Sequence, residues 1–448
     1  MIEAKFKHTD IGLVPEDWEI STFGKEFKKL NAASYTWSET IKDGSCAYLH
    51  YGEIHTKYHY HLNVQHSDLP FISKNQAKRF NKLQNGDLIM LNASEDYDGV
   101  NDCVEIINCD KELIAGQHTI PLRPISDKLV KGFIGYIPSI PAVRMQLIEN
   151  AVGTKVYGVT NELLQTVLLP IPTRHEQQRI ASALMKVDAL ISNLDKLIQK
   201  KQAIKKGAMQ ELLTGRKRLP GFNVKWKEIR LGDVAKMNSG GTPDSKNTAY
   251  YSGTIPFLSI SDMSNCGKFI THTQKHITSE AVANSSARIY PKGTLLYAMY
   301  ASLGKTSIAK IDLAISQAIL GIITDETILD KEYLYYNLCY IESKVIQMGQ
   351  TGTQSNLSKA LVEEFIFTIP EVDEQKAIAN VFICVDSEIS VLDKKRDKYR
   401  HIKQGMMRDL LMGRIRLVET SDMERKSYTV SVQKNLFDGA IAAEPHPD

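Results

Sequence analysis

Two stretches of the chain place apolar residues alternately three and four positions apart, which is the spacing of one face of a long helix. In the stretch 172–219 these positions are Ile180, Leu184, Val187, Ile191, Leu194 and Ile198. In the stretch 370–417 they are Ile378, Phe382, Val385, Ile389 and Leu392. Such a heptad pattern is typical of a coiled-coil seam, so the two helices are predicted to pair with each other as an antiparallel coiled coil.

The two stretches are also copies of each other. They align without a gap, and close to half of the aligned positions are identical, which marks an internal repeat. Thr173 and Glu176 form a predicted capping box, and Gly215 and Gly413 are predicted C-terminal stops. About 40 residues at 1.5 Å each predict a rod of roughly 60 Å. The alternative, two unrelated core helices, does not explain why the ends GRKRL and GRIRL repeat as well.

Each long helix follows a globular segment with a different pattern. Short apolar runs, such as 88–91 and 255–260, are bounded by turn residues, which predicts mainly β-structure with a few helices. The fold class is therefore predicted to be α+β, with two mainly β or mixed domains, each followed by a long helix. The predicted boundaries are a first domain at 1–168, a long helix at 169–219, a second domain at 220–366, a second long helix at 367–417, and a flexible tail at 418–448.

The globular segments repeat each other more loosely than the helices do. Trp18 and Trp226 each stand six residues before a glycine. Gly86 and Gly293 each stand at a predicted turn that leads into a buried strand. These matches indicate that the whole unit of domain and helix is duplicated.

Composition limits what the chain can be. It has 448 residues, enough for two or more domains, and its net charge of +3 means that any affinity for nucleic acid must come from local patches. The 6 cysteines form no CxxC pair, which favours a reducing compartment. The sequence contains no apolar run of membrane-spanning length and no signal-peptide core. We therefore expect a cytoplasmic protein.

Two regions combine basic residues with aromatic residues, a pattern of moderate specificity for nucleic-acid binding. One is the loop GGTPDSKNTAYYSG in the second segment, and the other begins in the first segment near residue 48. An ordinary surface loop and a solvated charged face are the alternatives to DNA contact. The candidate DNA-binding residues are Lys57, Tyr58, His59, Lys74, Lys78, Arg79, Tyr97, Lys246, Asn247, Tyr250, Tyr251, Lys275 and Lys305.

The patterns of catalytic and metal sites are incomplete in this sequence. Five histidines lie between His50 and His66, but no cysteine or acidic residue accompanies them at the spacing of zinc ligands. Gly304, Lys305 and Thr306 resemble the end of a phosphate loop whose first glycine is replaced by Met299. Nuclease, base-methylation and cofactor-binding motifs are not found either. The sequence predicts no catalytic residue, no metal site and no cofactor in this chain.

The duplicated stretch carries a family resemblance. It reads Pro-x-x-x-Glu-Gln as PTRHEQ and PEVDEQ, and Leu-Leu-x-Gly as LLTG and LLMG. With a divergent globular segment before each copy, the chain resembles the specificity subunits of type I restriction-modification enzymes. The stretch GGTP…YYSGTIPFLSISD is similar to the start of many target-recognition domains of that family, whereas the first segment departs more from this pattern.

The resemblance implies a subunit that reads DNA and catalyses nothing. Each target-recognition domain would read one half of a bipartite DNA site, and the helices would set the spacing and dock the modification subunits. Two modification subunits would supply adenine methylation with S-adenosylmethionine, and restriction subunits would supply an ATP- and Mg-dependent motor and nuclease. The alternative function is a coiled-coil adaptor that binds proteins and has no sequence-specific affinity for DNA.

Overall fold

A computed structural model of the chain describes residues 5–94, 102–149, 157–158, 160–351 and 356–417. The predicted tail at 418–448 and the candidate residue Tyr97 lie outside the described residues. The chain forms two compact units. The first unit is Met1–Asn193 together with Arg396–Asp448, and the second unit is Leu194–Lys395.

The first unit begins with many short strands, because its apolar residues come in runs of three to six between turn residues. The strands are β1 (Phe6–Thr9), β2 (Gly12–Pro15), β3 (Glu19–Thr22), β4 (Phe27–Lys29), β5 (Cys46–Leu49), β6 (Tyr60–Asn63), β7 (Phe71–Ile72), β8 (Leu88–Leu91), β9 (Ala93–Ser94), β10 (Cys103–Ile107), β11 (Leu113–Ala115), β12 (Thr119–Pro124), β13 (Tyr157–Gly158) and β14 (Leu168–Ile171). The helices are α1 (Phe23–Glu26), α2 (Tyr51–Thr56), α3 (Lys74–Ala77), α4 (Pro141–Glu149), α5 (Asn161–Thr166) and the start of α6 (Arg174–Leu212).

These strands form one five-stranded sheet in the order β4-β12-β8-β10-β6 and one three-stranded sheet in the order β11-β5-β7. The strands β5, β8 and β11 are buried along their whole length, which explains why apolar residues in them do not alternate with polar ones. One core cluster joins the five-stranded sheet to Ile180 and Leu184 of α6 and to Leu410 and Leu411. The core of this domain therefore includes parts of both long helices.

The second unit repeats this arrangement. Its strands are β15 (Lys227–Arg230), β16 (Ala235–Ser239), β17 (Ile255–Leu258), β18 (Phe269–Ile270), β19 (Lys275–Ile277), β20 (Ile289–Tyr290), β21 (Leu295–Ala298), β22 (Thr306–Ala309), β23 (Leu313–Ile315), β24 (Ile319–Thr324) and β25 (Ile366–Ile369). Its helices are α7 (Leu231–Val234), α8 (Ile260–Cys266), α9 (Ser279–Ala283), α10 (Lys331–Thr351), α11 (Lys359–Glu363) and the start of α12 (Val372–Leu410).

The five-stranded sheet has the order β16-β24-β21-β22-β18, which matches the first unit strand for strand. A four-stranded sheet in the order β19-β17-β23-β20 corresponds to β7-β5-β11 with one strand added. The predicted turns are confirmed: Gly86 and Gly293 have φ angles of 93° and 95° and precede the buried strands β8 and β21. The predicted fold class, two sheet-containing domains that each lead into a long helix, is therefore confirmed.

The long helices α6 and α12 each contain 39 residues. Three residues after the end of each helix stands a glycine with positive φ, 70° at Gly215 and 65° at Gly413, a conformation that glycine adopts without steric cost. The Lys217 N–H then donates to the Glu211 carbonyl, and the Ile415 N–H donates to the Asp409 carbonyl. In each bond the N–H donates to the carbonyl six residues earlier, and this satisfies one of the last carbonyl groups of the helix.

Within each unit the first half of one long helix lies antiparallel to the last half of the other. In the first unit Lys403 Nζ lies 2.5 Å from an oxygen of Asp188. In the second unit Lys205 Nζ lies 2.6 Å from an oxygen of Asp386, and Lys201 pairs with Glu388. Residue numbers that rise along α6 fall along α12, so the pairing is antiparallel.

The apolar face of each long helix is most deeply buried in its first turns. Residues that are less than a tenth exposed are Ile180, Leu184, Leu194, Ile198, Ile378 and Phe382. Half-buried seam positions are Val187, Ile191, Val385, Ile389 and Leu392. The first seam positions therefore also belong to the core of the adjoining globular domain, as Phe382 does in the second unit.

We expect Phe382→Ala to destabilise the second unit by about 3–5 kcal/mol, because the ring is fully buried and its removal leaves a cavity. The matched control is Val391→Ala on the same helix, where the side chain is 62% exposed and the expected change is within about 0.5 kcal/mol. Urea unfolding followed by far-ultraviolet circular dichroism measures both. Equal shifts in the two variants would contradict the burial of this part of the helix.

Candidate nucleic-acid interface

The glycine-rich loop of the second unit, residues 240–253, joins β16 to β17. The Gly240 and Gly241 N–H groups donate to the carbonyls of Ile319 and Ile315 at 3.0 and 3.1 Å. A Cβ atom on Gly240 would lie 1.9 Å from the Ile315 carbonyl oxygen, so only glycine permits this approach. The loop is thus fixed at its start against the connection between β23 and β24.

The four candidate residues of this loop divide into two pairs. Lys246 and Asn247 are exposed, and the Asn247 side chain accepts a hydrogen bond from the Ala249 N–H. Tyr250 and Tyr251 are half-buried, and the Tyr251 hydroxyl donates to the Pro243 carbonyl at 2.8 Å. Tyr251 therefore ties the end of the loop to its beginning, while Lys246 and Asn247 face solvent.

Lys275 and Lys305 lie on other elements of the second unit. Lys275 is exposed at the start of β19, the strand that pairs with β17. Lys305 Nζ donates to the Ser264 carbonyl at 3.2 Å, at the end of the hairpin loop between β21 and β22. Thr306, the last residue of the incomplete phosphate-loop pattern, begins the buried strand β22.

In the first unit, Lys57, Tyr58 and His59 follow α2. The Lys57 ammonium donates to the Asp68 carbonyl at 3.0 Å, and the Tyr58 hydroxyl accepts from the Asp68 N–H at 3.2 Å. These two side chains therefore hold the connection between β6 and β7, and His59 is exposed beside them. Sequence reasoning grouped them with the lysines that follow in the chain, but the structure places them on a separate connection.

Lys74, Lys78 and Arg79 are exposed on α3 and just after it. Asn31 ties this segment to the residues that follow β4: its side-chain amide donates to the Arg79 carbonyl at 2.9 Å. The Asn31 side-chain oxygen also accepts from the Asn81 N–H at 2.7 Å. The three basic residues therefore lie beside the connection between β4 and β5.

The histidines of the first unit have separate roles. The His50 Nδ1 accepts from the Gly52 N–H at 3.2 Å, and burial lowers the pKa of His50. His61 Nε2 lies 2.9 Å from the Gly132 carbonyl and 3.7 Å from Glu105, whose pKa burial raises to about 7. Among the residues that the structure describes, no three histidine, cysteine or acidic side chains are placed to hold a metal ion.

The repeated Glu-Gln pair has a different role from the capping box predicted for it. Thr173 does cap α6 by accepting from the Glu176 N–H at 3.4 Å. The Glu176 carboxylate, however, accepts from Trp18 Nε1 at 2.9 Å and from the Arg416 guanidinium at 2.7 and 2.9 Å. Only half of the predicted capping box forms, because the carboxylate is engaged in a buried cluster.

The second unit contains the same cluster. Glu374 accepts two hydrogen bonds from Arg218, at 2.6 and 2.5 Å, and one from Trp226 Nε1 at 3.3 Å. Glu176 and Glu374 are each 1% exposed, so each depends on its arginine for charge compensation. Sequence reasoning noted both tryptophans but missed Arg218 and Arg416, although both stand at the same position of the repeated ends GRKRL and GRIRL.

The glutamine of each pair binds the globular domain. The Gln177 side chain accepts from the Val130 N–H at 2.9 Å and donates to the Lys128 and Pro172 carbonyls. Gln375 makes the same three contacts with Asp330, Ile328 and Pro370. The Glu-Gln motif therefore joins the start of each long helix to its domain.

A second repeated cluster lies about three helical turns further along. The Tyr136 hydroxyl donates to Asp188 at 2.8 Å, and the Tyr336 hydroxyl donates to Asp386 at 2.8 Å. Lys403 and Lys205 complete the two clusters from the other long helix. Burial lowers the pKa of Lys403 and Asp188 opposes that shift, while burial and Asp188 both raise the pKa of Tyr136.

In the part of the chain that the structure describes, no helix is long and apolar enough to cross a membrane.

Two stretches, residues 15–206 and 223–398, match the family model of the type I restriction modification DNA specificity domain. Together they cover well over half of the chain. The chain therefore belongs to this family.

Individual relatives are named as specificity subunits of type I restriction enzymes. The chain is 24% identical to a protein of Methanocaldococcus jannaschii named as the MjaX specificity subunit of a type I restriction enzyme, over 93% of this chain and 97% of that protein. It is 25% identical to the EcoR124I/EcoR124II specificity subunit of Escherichia coli over 42% of this chain and 44% of that one. The fold is similar to the crystal structure of a type I restriction-modification S subunit from M. genitalium, with a TM-score of 0.56, 15% identity, and coverage of 91% of this chain and 99% of that one.

We expect Arg416→Met to destabilise the first unit by about 3–5 kcal/mol, because it leaves the Glu176 carboxylate buried and unpaired. Arg414→Met, two residues away, changes a side chain that is 54% exposed and should cost less than about 1 kcal/mol. Urea unfolding compares the two. The assignment fails if Arg414→Met proves as damaging as Arg416→Met.

Proposed function

We infer that this chain is the DNA sequence-specificity subunit of a type I restriction-modification complex. Each globular domain reads one half of a bipartite DNA site, and the long helices set the spacing between the halves and dock the modification subunits. The observation that carries this conclusion is the duplication. One sheet order, one Glu-Gln attachment and one Tyr–Asp–Lys cluster occur twice in a chain that belongs to the DNA specificity family.

The division between repeated and divergent parts supports two readers on one scaffold. The contacts that attach each domain to the helices are the same in both units, down to the glutamine hydrogen bonds. The loops between β4 and β5 and between β16 and β17 differ in sequence at most positions. Loops that differ on matching frames are suited to recognising different base sequences, because side chains at base edges specify sequence.

The domain boundaries at 1–168, 169–219, 220–366 and 367–417 are part of this proposal. So are the DNA contacts of the candidate residues, among which the exposed Lys246, Asn247, Lys74, Lys78 and Arg79 have the strongest support. An exposed lysine or arginine on a loop can bind phosphate without losing an internal contact.

The partners follow from the same proposal. The chain is a non-catalytic recognition subunit, so methylation with S-adenosylmethionine belongs to two modification subunits. DNA cleavage and the use of ATP and Mg belong to restriction subunits. We place the complex in the cytoplasm, where bacterial and archaeal DNA is found. The alternative, a protein-binding coiled-coil adaptor, predicts no sequence-selective retention of DNA in the presence of the modification subunit.

We expect that replacing residues 222–366 with the equivalent segment of another family member changes only one half of the recognised site. The reason is that the attachment contacts are common to both units while the loops are not. Methylation mapping of the complex with its modification subunits measures the outcome. A change in both halves, or in neither, would contradict separate readers.

We expect Lys246→Ala to weaken DNA binding by the complex and to reduce the slope of log affinity against log salt by about 1, as the loss of one phosphate contact does. Lys227→Ala is the control, since Lys227 is also exposed but lies on β15. Filter binding at several salt concentrations distinguishes them. An unchanged slope in Lys246→Ala would remove this residue from the interface.

A further inference from the structure

The first unit contains a loop that its sequence does not identify. Residues 33–44, here called the first loop, join β4 to β5, as residues 241–253, the second loop, join β16 to β17. The first loop begins with the Ala33 N–H donating to the Ala115 carbonyl at 2.8 Å. The second begins with the Gly241 N–H donating to the Ile315 carbonyl at 3.1 Å. Ala115 and Ile315 end the matching strands β11 and β23.

The two loops also end alike. A Cβ atom on Gly44 would lie 2.7 Å from the Phe71 side chain, and one on Gly253 would lie 2.1 Å from the Ile277 carbonyl oxygen. Phe71 lies on β7 and Ile277 on β19, the matching strands beside β5 and β17. Each loop therefore needs a glycine where it packs against the neighbouring strand.

A tyrosine hydroxyl supports each loop at the same point. Tyr48 donates to the Tyr35 carbonyl at 2.6 Å, two residues after Ala33. Tyr251 donates to the Pro243 carbonyl at 2.8 Å, two residues after Gly241. The supporting tyrosines come from different elements and the loop sequences differ, which explains why the match is not evident in the sequence.

The first loop and the segments beside it present aromatic side chains to solvent. Trp37 is 53% exposed and packs edge-on against His50 with ring centroids 5.5 Å apart. Tyr51, which is 38% exposed, lies 4.3 Å from His50 and 5.3 Å from His118. His118 has a φ angle of 59°, an uncommon conformation for a residue other than glycine. An exposed row of aromatic rings with a constrained histidine is typical of a binding surface.

The surroundings of the first loop favour DNA as the molecule that covers this row. Tyr35 packs edge-on against Phe80 at 6.0 Å, and Asn31 binds the Arg79 carbonyl, so the loop adjoins the segment that carries Lys74, Lys78 and Arg79. Basic residues beside exposed aromatic rings match a duplex, in which phosphates flank the base edges. An indole ring offers an apolar face to thymine methyl groups and one N–H donor to base acceptors.

We propose that the first loop, residues 33–44, reads bases of one half-site through Trp37, with Tyr51 and His118 beside it and Lys74, Lys78 and Arg79 on the phosphates. This proposal rests on the proposed function of the chain. It gives the first domain the recognition loop that its sequence leaves unassigned, and it makes Trp37 a specificity-determining residue.

Tryptophan accessibility tests the contact directly. The chain has 3 tryptophans; Trp18 is 1% exposed and Trp226 is half-buried, so Trp37 should dominate quenching by acrylamide. The full chain, labelled with 5-hydroxytryptophan so that partner tryptophans stay silent, is combined with its modification subunits. We expect a duplex carrying the complete site to shield the label, and Trp37→Phe to abolish the part of the signal that responds to DNA. Shielding by the modification subunits alone, or no shielding by DNA, would overturn the proposal.

Methylation by the same complex tests specificity. With Trp37→Ala we expect methylation of the site to fall roughly 10-fold or more, and discrimination among base substitutions to weaken only in the half-site of the first domain. Ile125→Ala, which removes a side chain that is 57% exposed elsewhere in the first unit, should change neither. Equal effects on both half-sites would overturn the proposal. If the wild-type complex methylates no bipartite site, the proposed function itself fails; if it does so while Trp37 stays accessible, only the role of the first loop fails.

Discussion

The reciprocal pairing of two buried carboxylates with two distant arginines is the interaction on which the rest of the structure depends. Glu176 lies in the first turn of one long helix and is neutralised by Arg416, which follows the end of the other helix. Glu374 and Arg218 form the same pair with the two helices in opposite roles. A carboxylate that is 1% exposed is costly without its partner. Each unit therefore needs the start of one copy of the repeat and the end of the other. The second unit takes both from one continuous segment, whereas the first unit joins two segments that are far apart in the chain.

This pairing between the two copies explains why the long helices are so similar in sequence while the loops of the two domains are not. Positions that must meet a partner from the other copy, such as Asp188 with Lys403 and Asp386 with Lys205, are identical or equivalent in both copies. Loops that meet only their own domain have no such restriction. Gly241 and Ala33 make the same backbone hydrogen bond with unlike sequences around them. A fixed frame with free loops is the arrangement that a protein needs to read two different half-sites.

Much of the frame could be predicted from the sequence, because helical periodicity and internal identity are local signals. The two helices, their terminal glycines and the duplicated turns at Gly86 and Gly293 are of this kind. The arginine partners could not, since Glu176 and Arg416 stand 240 positions apart and a capping box explained the glutamate locally. The match between the first and second loops could not be predicted either, because Tyr48 and Tyr251 support equivalent carbonyls from non-equivalent positions. Whether a basic or aromatic residue faces solvent depends on such packing, as the half-buried Tyr250 and Tyr251 illustrate.

Genome-wide methylation mapping in cells with and without this gene tests the central claim most directly. A specificity subunit with two different readers should direct adenine methylation to one bipartite sequence, with two unlike half-sites separated by a spacer of fixed length. That methylation should disappear when the gene is deleted and return when it is restored. A methylome that does not change on deletion, or a dependent site that is continuous and undivided, would contradict the assignment of one half-site to each domain.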